Sequence, residues 1–154
     1  MKIQIPDYIQ VLIDLLNQNH YSAYVVGGAI RNALLGLPIH DYDLTTDATP
    51  DEMLQVFASY RVFKTGIQHG TITVLSKGQP VEITTFRSEN TYEDHRHPSG
   101  VSFSDNIEED CKRRDFTINA LCYNQSEGLI DFFGGIQDLQ HKIIRCIGNA
   151  NERI

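Results

Sequence analysis

Hydrophobic residues recur at helical spacing near the start of the chain. Between residues 7 and 19 the apolar positions fall on one face of a helix: Tyr8, Ile9, Leu12, Ile13, Leu15 and Leu16. Asp7 follows Pro6 and is suited to cap the first turn. The pattern therefore predicts a helix over 7–19.

The pattern then changes to short apolar runs separated by turn residues. "SAYVVGG" predicts a buried strand that runs into a turn, "AIRNALLG" a helix that ends at Gly36, and "HDYDLTT" another strand. "TPDEMLQVF" predicts a helix capped by Thr49, and further strands are predicted at 60–64, 70–75 and 80–86. Short strands alternating with short helices predict one α+β domain built on a sheet.

The following part of the chain is more polar. "RSENTYEDHRHPSG" has no hydrophobic periodicity and predicts a long loop, whereas "RRDFTINAL" predicts a short helix packed on the sheet. His95 and His97 in the loop have no cysteine partners at zinc-ligand spacing, so we expect no zinc site. His69 is flanked by Gly70 in a predicted hairpin, and we assign it no catalytic role.

Composition narrows the class of protein. The chain has 154 residues, of which 41% are hydrophobic and 21% charged, as is typical of a globular domain. No apolar run approaches the roughly 20 residues of a membrane span, and the first residues lack the apolar core of a secretory signal, so we predict a cytoplasmic protein. The net charge of −7 disfavours this stretch as the main binder of a nucleic-acid backbone. The three cysteines form no CxxC pair and are interpreted as buried thiols.

Asp41 and Asp43 are candidates for a metal site. Residues two apart on a strand project to the same face, so the two carboxylates can share a cation. Oxygen ligands favour a hard ion, and Mg²⁺ is the usual one when the ion also binds substrate phosphates. Taken alone, the pair favours a simpler alternative, two solvated aspartates before Thr45. Glu82, in "PVEITTFR", is a third candidate acid or a structural hydrogen-bonding residue.

Gly27, Gly28 and Arg31 are candidates for phosphate binding. Glycines where a strand turns into a helix let phosphate oxygens approach backbone N–H groups at the helix N-terminus. The alternative is a tight turn followed by a solvated arginine. Because the helix is only about two turns long, the glycines, Arg31 and the aspartate strand can converge on one patch suited to a triphosphate. The chain contains neither GxxxxGK[ST] nor GxGxxG, which disfavours P-loop chemistry.

Several motifs in order resemble one family. "GGAIRNALLGLPIHDYDLTT", "TGIQHGTITVL", "VEITTFR", "DHRHPSGVSFS" and "RRDFTINALCYN" resemble the head domain of the class II tRNA nucleotidyltransferases, the CCA-adding enzymes, which are related to bacterial poly(A) polymerases. The resemblance runs from about Tyr24 to Gly148. It implies an α+β nucleotidyltransferase fold of the polymerase β type, with a small twisted mixed sheet flanked by helices.

The resemblance also implies roles for individual residues. Asp41 and Asp43 are expected to bind the catalytic Mg²⁺ ions. Nucleotide contacts are expected at Gly28, Arg31, Arg114 and Asp115, with Asp115 and Asn119 as candidates for the sugar. The implied reaction adds CCA to the 3′ end of tRNA from CTP and ATP and releases pyrophosphate.

Alternatives within and outside the family stay open. A poly(A) polymerase is disfavoured because "KTGIQHGTITVL" stands where those proteins tend to carry a Gly-Arg-Arg-Phe run. A CC- or A-adding enzyme is mildly disfavoured by the long intact loop at 87–100. A nucleotide-binding module without catalysis is disfavoured because both Asp41 and Asp43 are present.

Two departures from the family pattern bear on these expectations. Asn32 stands where the family commonly has Asp, so we expect no salt bridge from that position. The family's base-selecting helix would follow Ile154. We therefore expect residues 1–148 to form the head domain and 149–154 to begin a neck region, with the tRNA-holding domains elsewhere in a longer protein. "LIDFFGGIQDLQHKIIRCIG" resembles the segment that joins head to neck.

Overall fold

A seven-stranded mixed sheet forms the centre of the domain. The structure is a computed structural model that describes residues 3–88 and 102–148. The strands of the large sheet are β1 (Ala23–Val26), β2 (Asp43–Thr46), β3 (Arg61–Phe63), β4 (Thr71–Ser76), β5 (Gln79–Thr85), β8 (Leu121–Asn124) and β9 (Gly128–Asp131). Their order is β3-β4-β5-β2-β1-β8-β9. Strands β2 and β5 run parallel, and the other neighbours are antiparallel. A small second sheet pairs β6 (Arg87–Ser88) with β7 (Ser102–Phe103).

Helices flank this sheet, as the sequence predicts. The helices of the described residues are α1 (Asp7–Gln18), α2 (Gly28–Leu35), α3 (Pro50–Val56), α4 (Ile107–Lys112) and α5 (Gly135–Gln140). Helix α1 buries its apolar stripe against the sheet. Helix α3 begins with a capping box, in which Glu52 N–H donates to the Thr49 hydroxyl and Thr49 N–H donates to the Glu52 carboxylate. Each of these two hydrogen bonds satisfies a backbone N–H group that would otherwise be unpaired at the start of the helix.

The core lies on both faces of the sheet because successive strand residues alternate between faces. Val25 belongs to the larger apolar cluster, which includes the buried faces of α1, α2 and α3. Its neighbours Tyr24 and Val26 belong to a second cluster with Phe86 and Ile147. The rings of Tyr24 and Phe86 lie 6.1 Å apart in that second cluster. Residues near position 147 are therefore packed onto the sheet.

The structure corrects the prediction of a short helix in "RRDFTINAL". That segment forms only one 3₁₀ turn, Thr117–Asn119, and the chain then enters β8. The hydroxyl of Thr117 donates to the buried Asp138 at 2.7 Å, and Thr117 N–H donates to the backbone oxygen of Arg145. β-branched residues have only moderate helix propensity, so the local sequence does not enforce a helix here. The two long-range hydrogen bonds therefore decide that the segment is a turn.

Several other predictions agree with the structure only in part. The strand predicted over "HDYDLTT" begins at Asp43, so Asp41 lies just before it. His69 lies in the connection between the antiparallel strands β3 and β4, as expected, and there it ends a 3₁₀ turn, Ile67–His69. The thiols of Cys111 and Cys122 are buried with their sulfurs 3.8 Å apart, whereas Cys146 is partly exposed. Most of the predicted loop at 87–100, including His95 and His97, lies outside the described residues.

Among the helices that the structure describes, none combines the length and the apolar character that a membrane crossing requires. The cytoplasmic location stays a prediction.

Candidate active site

Strand register brings the glycine turn beside the aspartate strand. Val26, the last residue of β1, pairs with Asp43, the first residue of β2. Val26 also pairs with Cys122 of β8 on its other side. Asp43 in turn pairs with Glu82 of the parallel strand β5. Partner residues on neighbouring strands have Cα atoms about 5 Å apart, so this row places the turn after β1 next to two carboxylates.

The carboxylates at this end of the sheet influence one another. Burial raises the pKa of Asp43, and the negative charges of Glu82 and Asp41 raise it further, while Arg114 opposes the shift. Like charges brought together in this way favour a cation that neutralises them. Within residues 3–88 and 102–148, no three acidic, histidine or cysteine side chains are gathered closely enough to hold a metal ion by themselves.

The glycine turn is open and positively charged. Gly27 has φ +76° and ψ −140°, a conformation that side-chain-bearing residues rarely adopt, and Gly28 begins α2. No side chain caps this helix N-terminus. A Cβ on Gly28 would lie 3.2 Å from Nη2 of Arg31, and a Cβ on Gly27 would lie 3.9 Å from Nη1 of Arg114. Two guanidinium groups thus flank helix N–H groups, a combination that binds anions.

Hydrogen bonds hold Arg31 in this position. Its Nη1 donates to Oδ1 of Asn119 at 2.9 Å, and its Nε donates to Oδ1 of Asn32 at 3.2 Å. Nδ2 of Asn119 donates to the Asp115 carboxylate at 3.3 Å. Asn32 therefore keeps a hydrogen bond to Arg31 without contributing the negative charge that an aspartate would bring.

Sequence reasoning missed Asp110, a buried carboxylate behind the site. Nε of Arg113 donates to Oδ1 of Asp110 at 3.2 Å, and Nη2 of Arg114 donates to Oδ2 at 3.1 Å. The backbone N–H of Arg87 donates to Oδ1 at 2.9 Å. A signal for this residue is present in the sequence, because an acid three and four positions before an arginine pair lies on the same side of a helical turn.

The structure thus brings most of the predicted site residues together. Gly28, Arg31 and Arg114 surround the turn, and Asp43 lies beside it with Asp41 just before the strand. The remaining predicted residue, Asp115, is exposed and reaches this group through Asn119.

Comparison with known proteins identifies the class to which this architecture belongs. The mixed sheet with flanking helices is the nucleotidyltransferase fold of solved CCA-adding enzymes. The family model of the poly A polymerase head domain matches residues 23–145. The chain belongs to the poly A polymerase head domain family.

Individual relatives agree with that assignment. The chain is 47% identical to the CCA-adding enzyme of Ligilactobacillus salivarius over 142 residues, which is 92% of this chain and 35% of the relative. It is 50% identical to the CCA-adding enzyme of Streptococcus mutans over 133 residues, 86% of this chain and 33% of the relative. The chain therefore spans about a third of the length of these relatives.

Solved structures give the same fold. The crystal structure of the Bacillus stearothermophilus CCA-adding enzyme in complex with CTP superimposes with a TM-score of 0.84 at 38% identity, covering 97% of this chain and 36% of that one. A tRNA nucleotidyltransferase complexed with a primer tRNA and an incoming ATP analog superimposes with a TM-score of 0.69 at 29% identity, covering 89% of this chain and 39% of that one. The expected nucleotidyltransferase fold is confirmed.

Proposed function

We propose that this chain is the catalytic head domain of a tRNA nucleotidyltransferase that adds CCA to the 3′ end of tRNA from CTP and ATP. One observation carries the proposal: strand register sets Asp43 and Glu82 beside a glycine turn that two arginines flank. The similarity to CCA-adding enzymes supports the choice of reaction.

The glycine turn would hold the triphosphate. Backbone N–H groups at the start of α2, near Gly28, provide donors without a side chain in the way, and Arg31 and Arg114 provide charge. Asp115 and Asn119, which are joined to Arg31 by hydrogen bonds, are our candidates for the ribose hydroxyls. All of these groups recognise features that every nucleoside triphosphate shares.

Asp41 and Asp43 would hold Mg²⁺, with Glu82 as a further candidate ligand. Their oxygen-only donors suit this ion, and the pKa of Asp43 is raised first by burial and then by the negative charges of Glu82 and Asp41. An ion bound here would take its other ligands from phosphate and water. When bound, Mg²⁺ lowers the pKa of the attacking hydroxyl and neutralises the leaving group.

The reaction is an in-line transfer. The 3′ hydroxyl of the RNA attacks the α-phosphorus, the bond to the β-phosphate oxygen breaks, and pyrophosphate leaves. The contribution of this chain is to fix the triphosphate against α2 and to place Asp43 beside it, so that the reacting groups meet in the right orientation.

The rest of the function would depend on other parts of a longer protein. We propose that residues 1–148 form the head, that 149–154 begin the neck, and that base selection and most tRNA contacts lie beyond this chain. The charge of −7 is consistent with a head that does not itself grip the RNA backbone.

The test uses the full-length protein that carries this chain, tRNA lacking its 3′ end, CTP, ATP and Mg²⁺. Sequencing of the product ends separates addition of CCA, CC, A and poly(A). Poly(A) addition is the second candidate function, since the matching family model is named for poly A polymerase. Unextended tRNA would instead support a nucleotide-binding module without catalysis.

The same assay tests the metal ligands. Asp41→Ala or Asp43→Ala should abolish transfer with the fold intact, because removing a ligand that stabilises transition-state charge costs roughly 3 kcal/mol or more. Asp14→Ala is the matched control, since Asp14 is exposed on α1 and bonded only to Gln10 in the described structure. Near-normal turnover by either site variant would contradict the metal assignment.

A further inference from the structure

Asp110 lies at a point where three separate parts of the domain meet. It is fully buried on α4, and its carboxylate accepts hydrogen bonds from the Arg113 and Arg114 side chains that follow the helix. It also accepts from the backbone N–H of Arg87, just after β5, at 2.9 Å. The hydroxyl of Thr45 in β2 donates its one proton to the carbonyl of Thr84 at 3.1 Å and lies 3.4 Å from the Asp110 carboxylate. Aspartate is almost never fully buried unless it is paired in this way.

Three arginines lie around the Asp110 carboxylate. Arg87, Arg113 and Arg114 all lie close enough to this carboxylate to interact with it electrostatically. A buried ion pair adds little net stability compared with apolar packing of similar volume, so stability alone does not explain an aspartate at this position.

Arg114 depends on Asp110 for its orientation. Its Nη2 is bonded to Asp110, its Nη1 faces Gly27, and its Nε is buried with no hydrogen-bond partner in the part of the chain that the structure describes. An arginine side chain carries about 2 kcal/mol of rotamer entropy, so a guanidinium held at one end by a single ion pair loses its position when that pair is removed.

We propose that Asp110 is a positioning residue, whose buried carboxylate sets the Arg114 guanidinium beside the glycine turn where the nucleotide triphosphate binds. The inference rests on the proposed function, because it assigns Arg114 to the nucleotide. Asp110 also lies next to Thr45, on the strand that begins with Asp43. The Asp110–Arg114 pair is therefore adjacent to the strand that carries the candidate metal ligand.

The substitution Asp110→Asn gives a test in which the sign of the effect is decisive. If Asp110 only neutralised nearby arginines, its removal would leave the turn more positive and ATP would bind more tightly. If Asp110 positions Arg114, ATP should bind about tenfold more weakly, at the lower end of what a lost charge-assisted hydrogen bond causes. The full-length protein is titrated with ATP in Mg²⁺ by calorimetry, and the KM for ATP is measured in tRNA extension.

A double-mutant cycle tests whether Asp110 acts through Arg114. Arg114→Gln should weaken ATP binding by itself, and adding Asp110→Asn to that variant should weaken it no further. Additive effects, unchanged binding or tighter binding in Asp110→Asn would each overturn the proposal. Asp138→Asn is the matched control, because Asp138 is also buried and paired with an arginine, Arg145. It should lower the melting temperature. Because Asp138 bonds Thr117 in the turn that carries Asn119, any change that Asp138→Asn causes in ATP affinity should remain in the Arg114→Gln background, whereas the effect of Asp110→Asn should be lost there.

Two further arms keep the test decisive. If Asp110→Asn does not fold, Asp110→Glu keeps the charge and displaces the carboxylate, and the same loss of affinity, absent in the Arg114→Gln background, is expected. Wild-type affinity in the Glu variant would then count against positioning. If the wild-type protein binds ATP but extends no tRNA, the proposed function fails, while the Asp110–Arg114 coupling is still measured by titration.

Discussion

Gly28→Ala separates nucleotide binding from folding. Gly28 lies at the first position of α2 with an ordinary φ, so alanine there is not strained. Replacing glycine at a compatible position stabilises a protein by roughly 0.4–1 kcal/mol through the unfolded state. The new methyl group would lie 3.2 Å from Nη2 of Arg31, which has to shift by a few tenths of an ångström.

The shift acts on an arginine that is already fixed at two points. Nη1 of Arg31 is bonded to Asn119 and Nε to Asn32, so moving the guanidinium lengthens both bonds. The methyl group also stands where a phosphate oxygen would approach the helix N–H groups. Losing one charge-assisted hydrogen bond costs about 1.5–3 kcal/mol, which corresponds to a roughly ten- to hundredfold loss of affinity.

Thermal unfolding and ATP titration on the same samples measure the two effects. The melting temperature of Gly28→Ala should stay the same or rise while the affinity for ATP falls. Gly36→Ala is the control at the other end of α2: Gly36 has φ +70°, and a methyl group added there would have no atom within 4 Å. Its substitution costs roughly 1–2 kcal/mol of stability through left-handed backbone strain and should leave ATP affinity unchanged. Wild-type affinity in Gly28→Ala would refute phosphate binding at this turn.

Three other outcomes are expected. The hydrogen bond from Thr117 and the ion pair with Arg145 lower the pKa of Asp138. The stability that the Asp138 carboxylate contributes is therefore present above the unfolded pKa of about 4 and is lost as the pH falls through the lower folded pKa. The difference in melting temperature between wild type and Asp138→Asn should accordingly shrink in acid. Gly135→Ala should destabilise the fold by roughly 3 kcal/mol or more, because its Cβ would collide with the backbone oxygen of Thr117; unfolding in urea measures this. The 154-residue chain alone should bind CTP and ATP with affinities within about tenfold of each other in calorimetry, since its candidate site recognises only phosphate, metal and sugar.

Elements with a complete local signal could be predicted from sequence. Helix α1 shows an uninterrupted apolar period, and α3 has both halves of its capping box within four residues. The 3₁₀ turn at Thr117–Asn119 could not be predicted in this way, because bonds to distant segments decide it. Thr117, for example, depends on Asp138, which is 21 positions away along the chain.

The residues of the candidate site likewise differ in whether local sequence or long-range packing determines their position. The glycine turn and the two aspartates lie within one short segment, so their proximity could be inferred from a turn, a two-turn helix and a strand. Asp110 could not be placed in the same way. Its contacts with Thr45 and Arg87 depend on how α4 packs on the sheet, and no local pattern reports that packing.

Net charge gives a misleading picture of this domain because electrostatic effects at a site are local. The chain carries −7 overall, yet Arg31 and Arg114 flank the glycine turn, and Arg87 and Arg113 lie just behind. Screening limits the influence of distant surface acids to about 10 Å at ordinary salt concentrations, whereas partly buried groups are screened much less. A triphosphate approaching α2 would therefore meet mainly these arginines, and the acidic groups that matter there are the few beside Asp43, which a divalent cation would neutralise.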